Sequence, residues 1–251
     1  VIAVLVFWLV AFPAWGAGVV SLNLCTDQLL VLLAPDKVAA LEPLARDPSL
    51  SFVAGQAAGL PRVPADAEAV LRLHPDLVLA GDYGAQTTVA VLRRRGLRVV
   101  QVQEAEDFNA IEAQITLLAG LLGVPARGAA MVADMRARLA ALPHAPAGTT
   151  ALLWEARGYT AGPGSLGDAV LRAAGLRNTG TGGVVDIETL LTHPPDVLVT
   201  QTAPGYPSMA TDLAEAPVLR RLRHVRLPPA LLICGGPFAV RAAEILAHGP
   251  Q

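Results

Sequence analysis

The sequence predicts an α/β protein built as two small parallel-sheet lobes joined by one long helical backbone. Three observations carry that prediction. Short, continuously apolar runs alternate with amphipathic helical stretches, as in a parallel sheet covered on both faces. A helix–Pro-Asp–strand phrase is written twice, as "EAVLRLHPDLVLA" from Glu68 and as "ETLLTHPPDVLVT" from Glu188. Between the two copies, residues 107–142 hold a helical period and lack a strand pattern, which is too long for an ordinary crossover.

Taken in order, "VVSLNL" reads as the first strand and "TDQLLVLLA" as a helix capped by Thr26 or Asp27. "KVAAL" is a second strand. The Pro- and Gly-broken segment 42–62 is loop, with a short helix near residues 51–57. "DAEAVLRLH" and "GAQTTVAVLRRRG" are helices, each followed by a strand, "DLVLAG" and "LRVVQVQ". The helical stretch 107–142 is nicked at Gly123-Val124-Pro125, where Pro suits the first position of a new helix. After "PHAPAG" the rhythm resumes. "TTALLWE" and "DVLVTQ" are strands, and "SLGDAVLRAAG", "IETLLTH" and "TDLAEAPVLRRLR" are helices. "HVRLP" or "ALLIC" supplies a late strand, and "PFAVRAAEILA" closes the chain as a helix. The expected division is residues 1–18 as a signal peptide with a trimmed start, 19–106 as the N-terminal lobe, 107–142 as the helical spine and 143–251 as the C-terminal lobe.

Val1 to Trp15 are continuously apolar and give way to small residues by Gly18, the pattern of a secretory signal. The run is interrupted by Pro13 and is shorter than the roughly 20 residues a bilayer span asks for. We therefore expect export by a cleaved signal to an oxidising compartment, most simply a periplasm. There the two cysteines, Cys25 and Cys234, leave three possibilities open. Two free thiols near a cleft come first, a disulfide second and ligation of a metal centre last.

Composition excludes several functions. With 19 basic and 21 acidic residues the formal charge is −2, and the one short basic run, Arg93 to Arg95, is no phosphate-backbone footprint, so nucleic acid is not an expected partner. The five histidines are scattered without metal-ligand spacing, and neither a nucleophile elbow nor a phosphate loop occurs, which argues against an enzyme. No catalytic or metal-ligating residue is assigned. The alternative to a large ligand is a Zn, Mn or Fe ion receptor of similar bilobal plan, which would need three or four His, Asp or Glu side chains converging between the lobes.

The opening "VVSLNLCTDQL", the "EAVLRLHPDLVLA" segment, the connecting helix and the closing "LLICGGPFAVRAAEIL" together resemble the extracytoplasmic substrate-binding proteins of ABC importers for vitamin B12, haem and ferric siderophores. The resemblance is greatest to the B12-binding branch and runs from about Val19 to the end. It implies a monomer that holds a large metal chelate in the interlobe cleft and delivers it to an ABC permease dimer. It implies no cofactor of its own, the transported ligand containing cobalt or iron. An exposed glutamate on each lobe docks the permease in this family; the matching residues are Glu68 and Glu188. Cys25 departs from the family's usual serine- or proline-rich turn.

Parallel sheets bind ligands at the carboxyl ends of their strands. That rule selects Asn23, Cys25 and Tyr83 in the first lobe. In the second it selects Trp154, Glu155, Tyr159, Gln201, Tyr206, Cys234 and Phe238. Asp47 and Arg46, in the loop after the second strand, and Arg157 opposite them are candidates for the cleft rim. Trp154, at the end of a strand, is the ring we favour most as a ligand contact.

Overall fold

The computed structural model describes residues 18–143, 145–201, 217, 219 and 222–248. Tyr206, most of the "TDLAEAPVLRRLR" segment and the apolar leader up to residue 17 lie outside the described residues.

Two four-stranded, wholly parallel sheets form the frame. Strands β1 (Val19–Ser21), β2 (Val38–Ala40), β3 (Leu77–Gly81) and β4 (Val99–Val102) are ordered β2-β1-β3-β4. Strands β5 (Thr150–Trp154), β6 (Arg177–Asn178), β7 (Val197–Gln201) and β8 (Arg223–Leu227) are ordered β6-β5-β7-β8. The second order is the first with each number raised by four, so the repeated phrase belongs to a repeated topology. β3 and β7, the strands of that phrase, occupy the same interior place in the two sheets.

The helices are α1 (Leu24–Leu33), α2 (Ala54–Ala57), α3 (Ala67–Arg72), α4 (Gln86–Arg94), α5 (Phe108–Leu121), α6 (Pro125–Ala140), α7 (Leu166–Ala173), α8 (Ile187–Thr192) and α9 (Ala239–His248). Side chains alternate along the interior strands β3 and β7 between two cores, as the period of two requires. On β3, Leu77 and Leu79 enter a central core and Val78 an outer one; on β7, Val197 and Val199 enter the central core and Leu198 another outer one. The outer cores are separate, one per lobe. The central core is continuous through both, joining Leu29, Leu30 and Leu33 of α1, Ile111, Ile115 and Leu118 of α5, Met135 of α6, Leu171 of α7 and Leu246 of α9.

The helical connection between the lobes consists of two antiparallel helices. The break at Gly123-Val124-Pro125 turns α6 back along α5, where Gly128 meets Ala119 so closely that a Cβ would lie 2.4 Å from the alanine methyl. Glu112 and Arg136 pair across the two helices. α6 is bonded to both lobes. Its first turn is tied to the N-terminal lobe by Arg127 Nη1 donating to the Leu33 carbonyl at 2.9 Å. Its last turn is tied to the C-terminal lobe by Arg138, which holds both oxygens of Glu244 on α9 at 2.9 and 3.0 Å. Sixteen residues give a helix about 24 Å long, enough to bridge two small lobes.

Three local expectations change. The first strand ends at Ser21 and α1 begins at Leu24, because Asn23 turns its side-chain oxygen back to accept from the Cys25 and Thr26 amides at 2.9 and 3.3 Å. Of the two late-strand candidates, "HVRL" forms β8, and Pro229–Leu231 is a 3₁₀ turn inside "PALLIC". The two-residue β6 carries no apolar alternation and was not foreseen.

Candidate functional site: the cleft at the carboxyl strand ends

Loops that leave the carboxyl ends of β1, β3, β4 and β8 meet at the boundary between the lobes. The Cys25–Cys234 disulfide marks the meeting point, with the two Cα atoms 5.2 Å apart. This corrects the order given above: the cysteines are neither free thiols nor available ligands, and they join the lobes covalently. Cys25 stands in the first turn of α1, and Cys234 precedes α9 and is buried. Beside the disulfide, Gly235 lies against Ala105 so tightly that a Cβ would be 2.6 Å from both the alanine methyl and its carbonyl oxygen. Phe52 stacks on Phe238 with ring centroids 4.9 Å apart and planes at 20°. A small cavity of about 70 Å³ opens at the same place, lined by Asn23, Cys25, Asp82, Tyr83, Gln103 and Gly235 among others.

The other expected site residues divide between this cleft and the core. Tyr83 stands 78% exposed after β3. Tyr159 is 53% exposed and bridges to Val184, so those two side chains form one apolar rim on the C-terminal lobe. Glu155 is half-buried, which pushes its carboxyl above the usual range, and its Oε1 accepts from Gln201 Nε2 at 3.2 Å. Asp47 shapes its own loop by accepting from the Ser49 amide at 2.8 Å and the Ser49 hydroxyl at 2.6 Å. Arg46 donates to the Leu60 carbonyl, and Arg157 is exposed. Trp154 is placed in the outer core of the second lobe at 3% exposure, with Nε1 donating to the Val185 carbonyl at 2.8 Å. Ending a buried strand put the ring under the cleft loops rather than on their surface. Phe238 is likewise buried, and reaches the cleft boundary through its contact with Phe52.

Residue selection at strand ends missed Leu44, Phe52 and Val184. Among the described residues seven large hydrophobic side chains are exposed, and five of them, Leu44, Phe52, Tyr83, Tyr159 and Val184, stand on these loops. Leu44 and Phe52 sit in the same loop as Arg46 and Asp47, where only the charged residues were selected, because the exposure of an apolar side chain is set by tertiary packing. Larger hollows, of about 650, 600 and 330 Å³, lie elsewhere, along the edge strand β8, at the amino ends of β1 and β3, and beside α8 at the amino end of β5. Parallel sheets present their binding loops at the carboxyl strand ends instead.

The repeated phrase acquires a local geometry. In each copy an Asp two residues before the Glu caps the helix, Asp66 accepting from the Ala69 amide at 2.8 Å and Asp186 from the Thr189 amide at 2.7 Å. Glu68 and Glu188 therefore occupy the same second helical position of α3 and α8, both exposed. The Asp of each Pro-Asp pair then reaches the start of the neighbouring strand. Asp196 accepts from the Thr150 amide and hydroxyl, both at 2.7 Å, and those bonds hold its carboxyl below the usual range; Asp76 accepts from the Gly18 amide at 3.4 Å.

Two linked parallel-sheet lobes with a cleft at their carboxyl strand ends define a bilobal solute-binding protein. The chain belongs to the periplasmic binding protein family, whose pattern it matches over residues 19–226, and that membership supports an extracytoplasmic location. It is 34% identical over 145 residues to a cobalamin-binding protein of Halobacterium salinarum, a match that covers 53% of this chain and only 39% of that relative. Its fold is similar to that of a possible iron-binding, periplasmic solute-binding protein from Staphylococcus epidermidis, with a TM-score of 0.76 at 15% identity over 93% of this chain and 98% of the other. It is similar also to a periplasmic haem-binding protein from Roseiflexus (TM-score 0.72, 22% identity, 93% and 97% covered) and to the periplasmic vitamin B12-binding protein of Vibrio cholerae (0.66, 20%, 93% and 96%).

Proposed function

We propose that this chain is the receptor of an ABC importer for a large, flat metal chelate, with a corrinoid the foremost candidate and haem or a ferric siderophore next. The observation that carries the reading is a set of exposed apolar side chains on the loops beyond the carboxyl strand ends, Leu44, Phe52 and Tyr83 on one lobe and Tyr159 and Val184 on the other. Side chains of this size are left in water on a small protein where something is to cover them. A macrocycle has broad apolar faces and a polar edge, and aromatic walls with a few polar groups suit it.

The polar groups favour a corrinoid over haem. The cleft cavity is lined by the neutral amides Asn23, Gln103 and Gln114 and the carboxylates Asp82 and Glu104, with Gln101 bonded to the Gly81 carbonyl beside it and a further amide–carboxyl pair, Gln201 and Glu155, at the strand ends of the second lobe. A corrin edge carries amides that pair with both. A haem edge carries two carboxylates that call for cations, and of the two nearby arginines Arg46 is already engaged with a backbone carbonyl. The ligand is carried to a permease dimer that meets Glu68 and Glu188, by a monomeric receptor released from its apolar leader after export.

The test is a binding screen of the mature protein against cyanocobalamin, dicyanocobinamide, haemin and ferric siderophores, read by ligand absorbance after equilibrium dialysis, beside metal analysis of protein purified without chelator. Saturable binding of a corrinoid is expected. Stoichiometric zinc or manganese with no chelate bound would overturn the reading.

A further inference from the structure

The Phe52 ring is backed on one face by another ring and its backbone is held by buried neighbours. Its neighbours Ser51 and Val53 are 2% and 1% exposed, so the backbone on both sides of it is buried. Its own amide donates to Gln28 Oε1 at 2.8 Å, and Gln28 is fully buried on α1. The preceding turn is closed by Asp47, whose side chain takes the Ser49 amide and hydroxyl and whose carbonyl takes the Ser51 amide at 2.8 Å. One face of the ring is covered by Phe238 of the other lobe, and that contact lies in the same boundary region as the disulfide joining Cys25 of α1, the helix that carries Gln28, to Cys234. Yet Phe52 remains 47% exposed. An aromatic side chain fixed by burial of its neighbours, a buried hydrogen bond and a stacked partner loses little further freedom when its open face is covered.

Resting on the corrinoid reading above, we propose that Phe52, backed by Phe238, is a fixed platform on which the apolar face of the bound macrocycle lies. The nearly parallel stack leaves a flat, rigid apolar surface for van der Waals contact with the methyl-bearing face of the macrocycle. The platform belongs to both lobes at once, since its upper ring comes from the first and its support from the second. Ligand contact at Phe52 therefore reports on the closed boundary itself. The exposed Leu117, on α5 and outside the lining of the cleft cavity, serves as a control of similar exposure.

The experiment compares cyanocobalamin affinity of the wild type, F52A, F52L, F52W and L117A, with thermal melts to establish that each is folded. Truncation of a central aromatic contact gives F52A an affinity loss of roughly thirtyfold, about 2 kcal/mol. F52L, which keeps apolar volume without a plane, loses nearly as much. F52W restores binding to within a few-fold, and L117A does not change it. Should F52A fold poorly, the F52L and F52W pair decides alone. Wild-type binding with F52L equal to wild type would overturn the platform while leaving the corrinoid reading intact. F52A that binds normally but lowers uptake in cells would also overturn it, and would assign Phe52 to the permease. Wild type that binds no corrinoid would overturn both.

Discussion

At the scale of single residues, Asp27 is the group most out of place. It is wholly buried in the first helix, and burial pushes its carboxyl well above the usual range against the lowering effect of hydrogen bonds from Ser21 and the Glu42 amide. Its Oδ2 has no hydrogen-bond partner among the described residues. A buried carboxyl left partly unpaired costs stability, on the order of 1–3 kcal/mol. The sign of its pH dependence follows from its raised affinity for the proton. Above about pH 4, where the unfolded chain releases its proton, the folded protein still holds it, so stability falls as pH rises toward the folded pKa. D27N keeps the shape and cannot ionise. It is expected to raise the melting temperature at pH 7 by a few degrees, corresponding to about 1 kcal/mol, and to lose that advantage below roughly pH 3.5. Equal melting curves for the two proteins across this range would show that Asp27 finds a compensating partner on folding.

At the scale of elements, α3 and α8 show what a sequence can and cannot display. Their existence, their Pro stops and the strands after them were legible, because capping, helical period and apolar runs are local signals. So was the match of Glu68 to Glu188. The role of Asp76 and Asp196 was not, since an Asp in a turn does not announce that it reaches the first residue of a strand far away in the chain. The same limit hid Phe52, whose exposure is a fact of tertiary packing, and placed Trp154 at a surface when the following loop covers it. β6 was illegible for want of length. The paired glutamates carry a prediction at this scale. Each stands exposed in the first turn of a capped helix, and neither lies among the residues of the cleft. Exposed complementary charges set registration more than affinity. E68K and E188K are therefore expected to leave corrinoid affinity within about twofold and to lower uptake, the double variant more than either single one. Affinity measured beside uptake decides it; a tenfold loss of affinity with normal uptake per bound ligand would remove the docking role.

At the scale of the whole molecule, the two lobes are not independent bodies strung on a linker. They share the central core, α6 is tied at both ends, and the disulfide closes a separation of 209 residues at the cleft itself. These ties act differently. The core and α6 hold the native state together by burial and hydrogen bonding, whereas a crosslink over so long a loop acts mainly by restricting the unfolded chain. Chain entropy alone gives it an upper value of about 5 kcal/mol, and such estimates are commonly not realised in full. C25S/C234S is therefore expected to melt roughly 10 °C lower while keeping the same radius of gyration and the same corrinoid affinity to within a few-fold, because the shared core still fixes the lobes. Small-angle scattering and calorimetry of the wild type and the double variant, with and without cyanocobalamin, separate the possibilities. A variant that expands in solution and contracts on ligand addition would mean that the disulfide, not the core, keeps the cleft formed. A variant with an unchanged melting temperature would mean that the unfolded chain is already confined without the bond.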